Sequence, residues 1–355
     1  MSPPQTIPQH FSRQATACQA LGSPLTAALL DILAGLLRQH PAPDRQLTER
    51  KPPDWAAKLR AWPGDPAADA LALRVAGALH RVVLDGDADL AVAYAAGRLD
   101  PALVAGTLDR HSALLDQYLQ GPPQTNDPLR SAILLGGFLA ISAATGGCAL
   151  ALREVGASAG LNLLWDDYAY DFGSWCHGDP MTAPLLLRAD WLGALPATAK
   201  IRLHSRAGCD IRPIDPRDPE QRKRLLSYIW ADQLPRLERV ATALEHAAIH
   251  GRPPEAIGAG DFVIRELAAR PADACLVLYH TIVWQYLPAD EQQRIAEAIE
   301  LAGAAATAEA PLAWLRAETG AASDGAELKL TLWPGGITRQ LAVVDYHGRW
   351  IRWDG

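Results

Sequence analysis

A carboxylate, two glycines and a hydroxyl share seven consecutive residues, Glu154-Val-Gly156-Ala-Ser158-Ala-Gly160. The run follows an apolar stretch and precedes helix-forming residues, so it reads as strand, tight turn and helix start. Small residues bring backbone N–H groups close to whatever binds, and a helix N-terminus favours negative charge. Two chemistries use this shape. The first is nucleotide-type cofactor binding on a Rossmann-type sheet, with Glu154, Gly156 and Gly160 as working residues and Ser158 and Asn162 lining the same cleft. The second is a nucleophile elbow, because residues 156–160 also read G-x-S-x-G. Ser158 would then be the nucleophile, with Asp345 and His347 completing a Ser…Asp…His order. Against the elbow stand a helical region before residue 147 and the lack of a glycine-rich oxyanion loop.

Three further positions fall where strands should end. Asp210, in Gly208-Cys-Asp210-Ile-Arg-Pro213, closes a second strand, where a carboxylate accepts hydrogen bonds from ribose hydroxyls. Asp261 follows a third strand, where it would meet an adenine amino group or cap the next helix. Tyr279-His280 ends a fourth strand, the carboxyl end at which ligands sit in open α/β sheets. There His280 is placed as a general base, with Tyr279 orienting substrate.

The elements that must position these residues follow from periodicity and breakers. Residues 8–120 read as helices, with Ser23-Pro24, Asp65-Pro66 and Asp100-Pro101 as starts. The proline-rich stretch from Gly121 to Pro128 separates a helical cap or lid domain, 1–122, from a sheet domain, 123–355. A helix to about Ala144, stopped by Gly146-Gly147, precedes the glycine turn. Residues 166–199 look like an insertion without strand periodicity. Strands are expected at 200–204, 256–259, 275–280 and 312–316, with helices between them. Alternating residues at 327–333, 339–345 and 350–353 predict closing antiparallel strands. The fold class is therefore α/β, a mostly parallel sheet with antiparallel edge strands behind an all-helical N-terminal domain.

Composition removes other function classes. The 355 residues carry a net charge of −7 and no basic run, which argues against nucleic-acid backbone binding. Five dispersed cysteines suit reduced thiols, the opening residues are polar and proline-rich, and no apolar run is long enough to cross a bilayer. A cytoplasmic location with no membrane partner is expected. Cys176, His177 and Asp179 are metal-type residues without a second spaced set, so no metal is expected. A small-molecule substrate is expected, and the oligomeric state stays open.

Taken in order, these residues resemble the class I S-adenosylmethionine-dependent methyltransferases. Glu154-x-Gly156-x-x-x-Gly160 resembles the first motif of that family, Gly208-x-Asp210-x-x-Pro213 its second-strand acidic motif, and Gly260-Asp261 its third. The closing meander is similar to its edge hairpin. The resemblance covers about residues 125–355 and implies a Rossmann-like methyltransferase-type domain. It also implies S-adenosylmethionine as cofactor and methyl transfer to a small-molecule or peptide nucleophile. Glu154, Gly156, Ser158, Gly160, Asn162, Asp210 and Asp261 would hold the cofactor, and His280 and Tyr279 would face the substrate. Most of the chain also resembles a bacterial family, domain of unknown function 2332. That likeness rests on Gln124-Thr-Asn126, Glu154 to Leu163, Asp167-x-Tyr-x-Tyr170, Arg206-x-Gly-x-Asp210-x-x-Pro-x-Asp215, Trp230 with Arg236, and Gly348-Arg-Trp350. It implies no activity. A serine hydrolase and a non-catalytic Rossmann-like binding module remain the alternatives.

Overall fold

Amphipathic runs with proline starts dominate the first third of the chain, and they form helices. The computed structural model describes residues 6–39, 54–322 and 324–354. Two units emerge, Met1–Thr125 with Pro219–Glu238, and Asn126–Asp218 with Arg239–Gly355. Helices α1 (Ile7–Ala20), α2 (Pro24–Gln39), α3 (Asp54–Arg60), α4 (Leu71–Leu84), α5 (Ala88–Ala95), α6 (Pro101–Arg110) and α7 (Ser112–Leu119) belong to the first. The second opens with α8 (Arg130–Ala144) and β1 (Leu150–Val155), then β2 (Ala169–Asp171), β3 (Cys176–His177), β4 (Leu186–Arg188), β5 (Asp190–Gly193) and β6 (Leu203–Asp210). After α9 (Pro219–Ser227) and α10 (Leu234–His250) come β7 (Glu255–Ala256), α11 (Ala259–Ala268), β8 (Cys275–Thr281) and α12 (Ala289–Ala304). Strands β9 (Leu312–Thr319), β10 (Ala326–Trp333), β11 (Ile337–Val344) and β12 (Trp350–Trp353) close the chain.

The segment 219–238 joins the helical unit, whereas a single boundary at 122/123 would leave it with the sheet. Its apolar face explains the placement. Tyr228 packs 5.3 Å from Tyr118, and the Tyr118 and Ser227 hydroxyls share a hydrogen bond. Asp232 caps α2 from this segment, accepting from the Ser23 hydroxyl and the Leu25 N–H. Asp232→Ala is expected to destabilise the helical unit by about 1–2 kcal/mol, the usual loss for a helix cap. An unchanged urea midpoint would remove that role.

The second unit is built on a nine-stranded sheet in the order β5-β12-β11-β10-β9-β8-β1-β6-β7. From β7 to β9 all neighbours are parallel; β10, β11 and β12 each run antiparallel to the strand before. The mostly parallel sheet with an antiparallel edge thus matches the expected α/β class. The chain leaves β1 for β6 and β7 on one side, then crosses to β8 and β9 on the other. Strand order reverses between β1 and β8, and such a switch point opens a crevice at the strands' carboxyl ends. Glu154 pairs with Tyr279 there, and Val155 with His280.

One sheet face packs on α11 and α12, burying Val155, Leu278, Phe262 and Ile295 together. Helix α8 lies on the other face and is apolar nearly all round, as an element covered on both sides must be. Gly136 lets it approach closely, since a Cβ there would stand 2.7 Å from the Trp353 ring. Residues 166–199 contain short strands that their sequence does not announce. Strands β3, β2 and β4 form a small second sheet, and β5 pairs in parallel with β12 at the far edge. Stacked rings fasten this path, with Phe172 and Trp175 4.3 Å apart and Trp191 and Trp353 5.0 Å apart. The strand expected at 200–204 instead spans Leu203–Asp210. Among the described residues no helix is long and apolar enough to cross a membrane.

Candidate functional site

The glycine turn leaves β1 with three residues in the left-handed region, Gly156 at φ 72°, Ser158 at 53° and Gly160 at 74°. Its backbone groups are tied to the neighbouring strand. Ala157 N–H donates to the Cys209 carbonyl, and Ser158 N–H donates to Asp210 Oδ2 at 3.0 Å. Asp210 Oδ1 also accepts the Arg212 N–H. The carboxylate that ends the second strand therefore fastens the turn.

The α-helix expected after the turn does not form. A 3-10 segment, Leu161–Asp167, runs instead, broken at Leu164. Asn126 Oδ1 accepts the Leu161 N–H, and the Tyr168 hydroxyl donates to the Leu161 carbonyl. Arg206 pairs with Asp166 and donates to the Leu163 carbonyl. These bonds turn the chain into β2 before an α-helix can propagate. The turn accordingly lacks the aligned helix dipole that would draw an anion.

Glu154 points to the α8 face and is 2% exposed. The Tyr279 hydroxyl stands 3.5 Å from its Oε2, and Tyr279 in turn packs edge-on against Phe138 of α8. Burial pushes the Glu154 carboxyl up to about 8; the Arg130 charge and hydrogen bonding from Tyr279 and Asn162 pull the other way. At neutral pH the group is a protonated carboxylic acid. Ser158 Oγ and Asn162 Oδ1 are also buried with no hydrogen-bond partner. Buried polar atoms are normally satisfied, so two orphans, one on the turn and one in the 3-10 segment after it, are exceptional. Ser158 Oγ also has no base bonded to it. Asp345, the supposed triad acid, is held by the Arg349 guanidinium and the His347 N–H.

Tyr279 and His280 do not share a face. Successive strand residues point to opposite sides, so Tyr279 meets Glu154 while His280 lies on the α12 side. There His280 Nδ1 is 2.6 Å from Glu318 Oε1, and its Nε2 accepts the Trp314 indole N–H at 3.1 Å. The Trp314 donor fixes the proton on Nδ1. Both ring nitrogens are engaged, which leaves His280 no lone pair for a general base, and its ring stacks on Trp284. Asp261 stays away from the turn. It is exposed in the first turn of α11, ion-paired with Arg294 at 2.6 Å, and Gly258 holds the cap position.

The family model described as "Uncharacterized protein conserved in bacteria (DUF2332)" matches residues 8–353. The chain belongs to this family. No curated protein and no solved structure matches it. Several residues through which the chain resembles the family meet at one place. Asn126, Glu154, Asn162, Arg206 and Asp210 all hold or line the strand-end turn.

Sequence reasoning missed a second group on the opposite face. Trp314, Arg316 and Glu318 alternate along β9 and face a cavity of about 430 Å³ that Trp284 also lines. The signal was available in the period-two pattern of Leu312-Ala-Trp314-Leu-Arg316-Ala-Glu318, which puts two charges on a face continuous with core.

Proposed function

We propose that the β1 turn binds S-adenosylmethionine and that the protein transfers its methyl group to a small-molecule or peptide nucleophile. The observation that carries this reading is the reversal of strand order at β1/β8, with Glu154 and the orphaned Ser158 Oγ and Asn162 Oδ1 at its carboxyl end. These unsatisfied atoms suit a polar, nucleoside-bearing group, and Asp210 stands where a ribose acceptor belongs, at the end of the adjacent strand. When bound, the cofactor supplies an already activated methyl group, so alignment rather than a strong base is what the protein must provide. That requirement is compatible with an engaged His280. Glu154, Gly156, Ser158, Gly160, Asn162 and Asp210 form the holding set; Asp261, exposed and paired, falls outside it.

Isothermal titration of the full chain with S-adenosylmethionine and S-adenosylhomocysteine tests the reading. Saturable binding is expected, weakened roughly tenfold or more, or about 1.4 kcal/mol, by Asp210→Ala. Far-ultraviolet circular dichroism should stay unchanged in that variant. No binding by the wild-type protein sinks the proposal. Labelling of Ser158 by a fluorophosphonate probe would favour a hydrolase instead, although the turn offers that serine no base.

A further inference from the structure

The cavity on the α12 face presents two opposite charges, each left incomplete. Arg316 donates through Nη2 to the Thr331 hydroxyl at 2.8 Å and lies 3.9 Å over the Trp314 ring. Its Nε is buried without a partner, and no carboxylate among the described residues pairs with it. Its register partner on β10 is Lys329, and Glu327, two residues along, is committed to Lys329 and to the Ala321 N–H. A half-buried cation with only a hydroxyl and a ring for company is left incomplete, and an anion would complete it. Burial accordingly pulls the Arg316 guanidinium below its ordinary range.

Glu318 shows the complementary defect. Its Oε1 accepts from His280 Nδ1 and from the Val283 N–H, while Oε2 is buried and unpartnered. His280, locked by Trp314 and stacked on Trp284, is thus a positioning residue that aims this carboxylate. Supporting contacts of this kind hold a binding group in one geometry.

We propose that this cavity binds a small zwitterion of the amino-acid class, with its carboxylate on Arg316 and its ammonium on Glu318. The two side chains sit two residues apart on one face of β9, roughly 7 Å along the strand, which suits charges separated by a short chain. In register on β10, Lys329 lies beside Arg316 and Glu327 beside Glu318, so a positive row and a negative row cross the floor. Trp284 and Trp314 line the same cavity and give it apolar wall. A volume of about 430 Å³ suits a small molecule. A purely anionic ligand would leave Glu318 incomplete, and a purely cationic one would leave Arg316 so. The inference stands apart from methyl transfer, because the cavity opens on the other sheet face from Glu154.

Calorimetric titration of the full-length protein with 4-aminobutanoate, butanoate and butylamine tests it. The zwitterion should bind at least tenfold tighter than either half-molecule. Arg316→Gln, which removes a half-buried charge, and Glu318→Gln should each erase that preference and weaken 4-aminobutanoate tenfold or more. Equal affinity for the three probes, no saturable binding of 4-aminobutanoate, or preserved preference in both variants would overturn the proposal. Should a variant fail to fold, the order of the three probes on the wild-type protein still decides. Failure here leaves the S-adenosylmethionine titration untouched, so the two readings fall separately.

Discussion

Glu154→Gln should remove a fall in stability that the wild-type protein undergoes as pH rises from 4.5 to 8. The folded carboxyl titrates at about 8 because it is buried, against 4.5 when exposed. Between those values the folded state keeps a proton that the unfolded chain has released. The unfolded state binds fewer protons, so unfolding free energy declines with increasing pH in this window. Below 4.5 both states are protonated and the stabilisation is fully present. Above 8 it is lost. The gap corresponds to at most about 5 kcal/mol, a large fraction of a domain's stability. Glutamine copies the shape of the protonated acid and cannot ionise. Urea unfolding of both proteins at the two ends of the window checks the prediction: similar midpoints at the acid end, and a more stable variant at the alkaline end. Parallel pH profiles would mean that Glu154 is solvated or fully paired. A neutral Glu154 also bears on function, since a cationic ligand docking beside it would favour proton release.

Strand-end chemistry could be read from the chain because it is local. An apolar run, an acid and a glycine turn lie within a few residues, and the buried β8 announces itself by Leu276-Val-Leu278. The elements around that turn are decided by partners distant in sequence. Whether Leu161 starts an α-helix or a 3-10 turn depends on Asn126 and Arg206, neither of which the local sequence contains. The insertion becomes β-structured because β12, at the very end of the chain, offers β5 an edge, and because Trp191 finds Trp353. Likewise 217–230 reads as a charged amphipathic helix whose place only its partner Tyr118 reveals. Strand alternation alone separates Tyr279 from His280, and that much could have been derived from sequence. The site therefore divides into a turn that sequence located and a cavity that needed β9 and β10 placed side by side.

Gly156→Ala is expected to destabilise the protein by about 2–5 kcal/mol, through two additive faults. A φ of 72° is left-handed, which disfavours a non-glycine residue by about 1–2 kcal/mol. The new methyl would also stand 2.5 Å from Val283 Cγ2, an overpacking fault of about 1–3 kcal/mol. Val283 cannot move aside easily. Its N–H is bonded to Glu318, and Ile282 before it is itself held at φ 52°, an uncommon conformation for a β-branched residue. Adding Val283→Ala removes the Cγ contacts but keeps Cβ 3.0 Å away, so the double variant should recover part of the steric loss and none of the backbone loss. Denaturant melts of the two single variants and the double variant provide the cycle. If Gly156→Ala melts like wild type, or Val283→Ala recovers nothing, the contact between turn and β8 loop is not as described. Should the cycle close as expected, one residue touches both faces of the switch point: Val283 packs on the Gly156 turn with its side chain and braces the Glu318 carboxylate with its backbone.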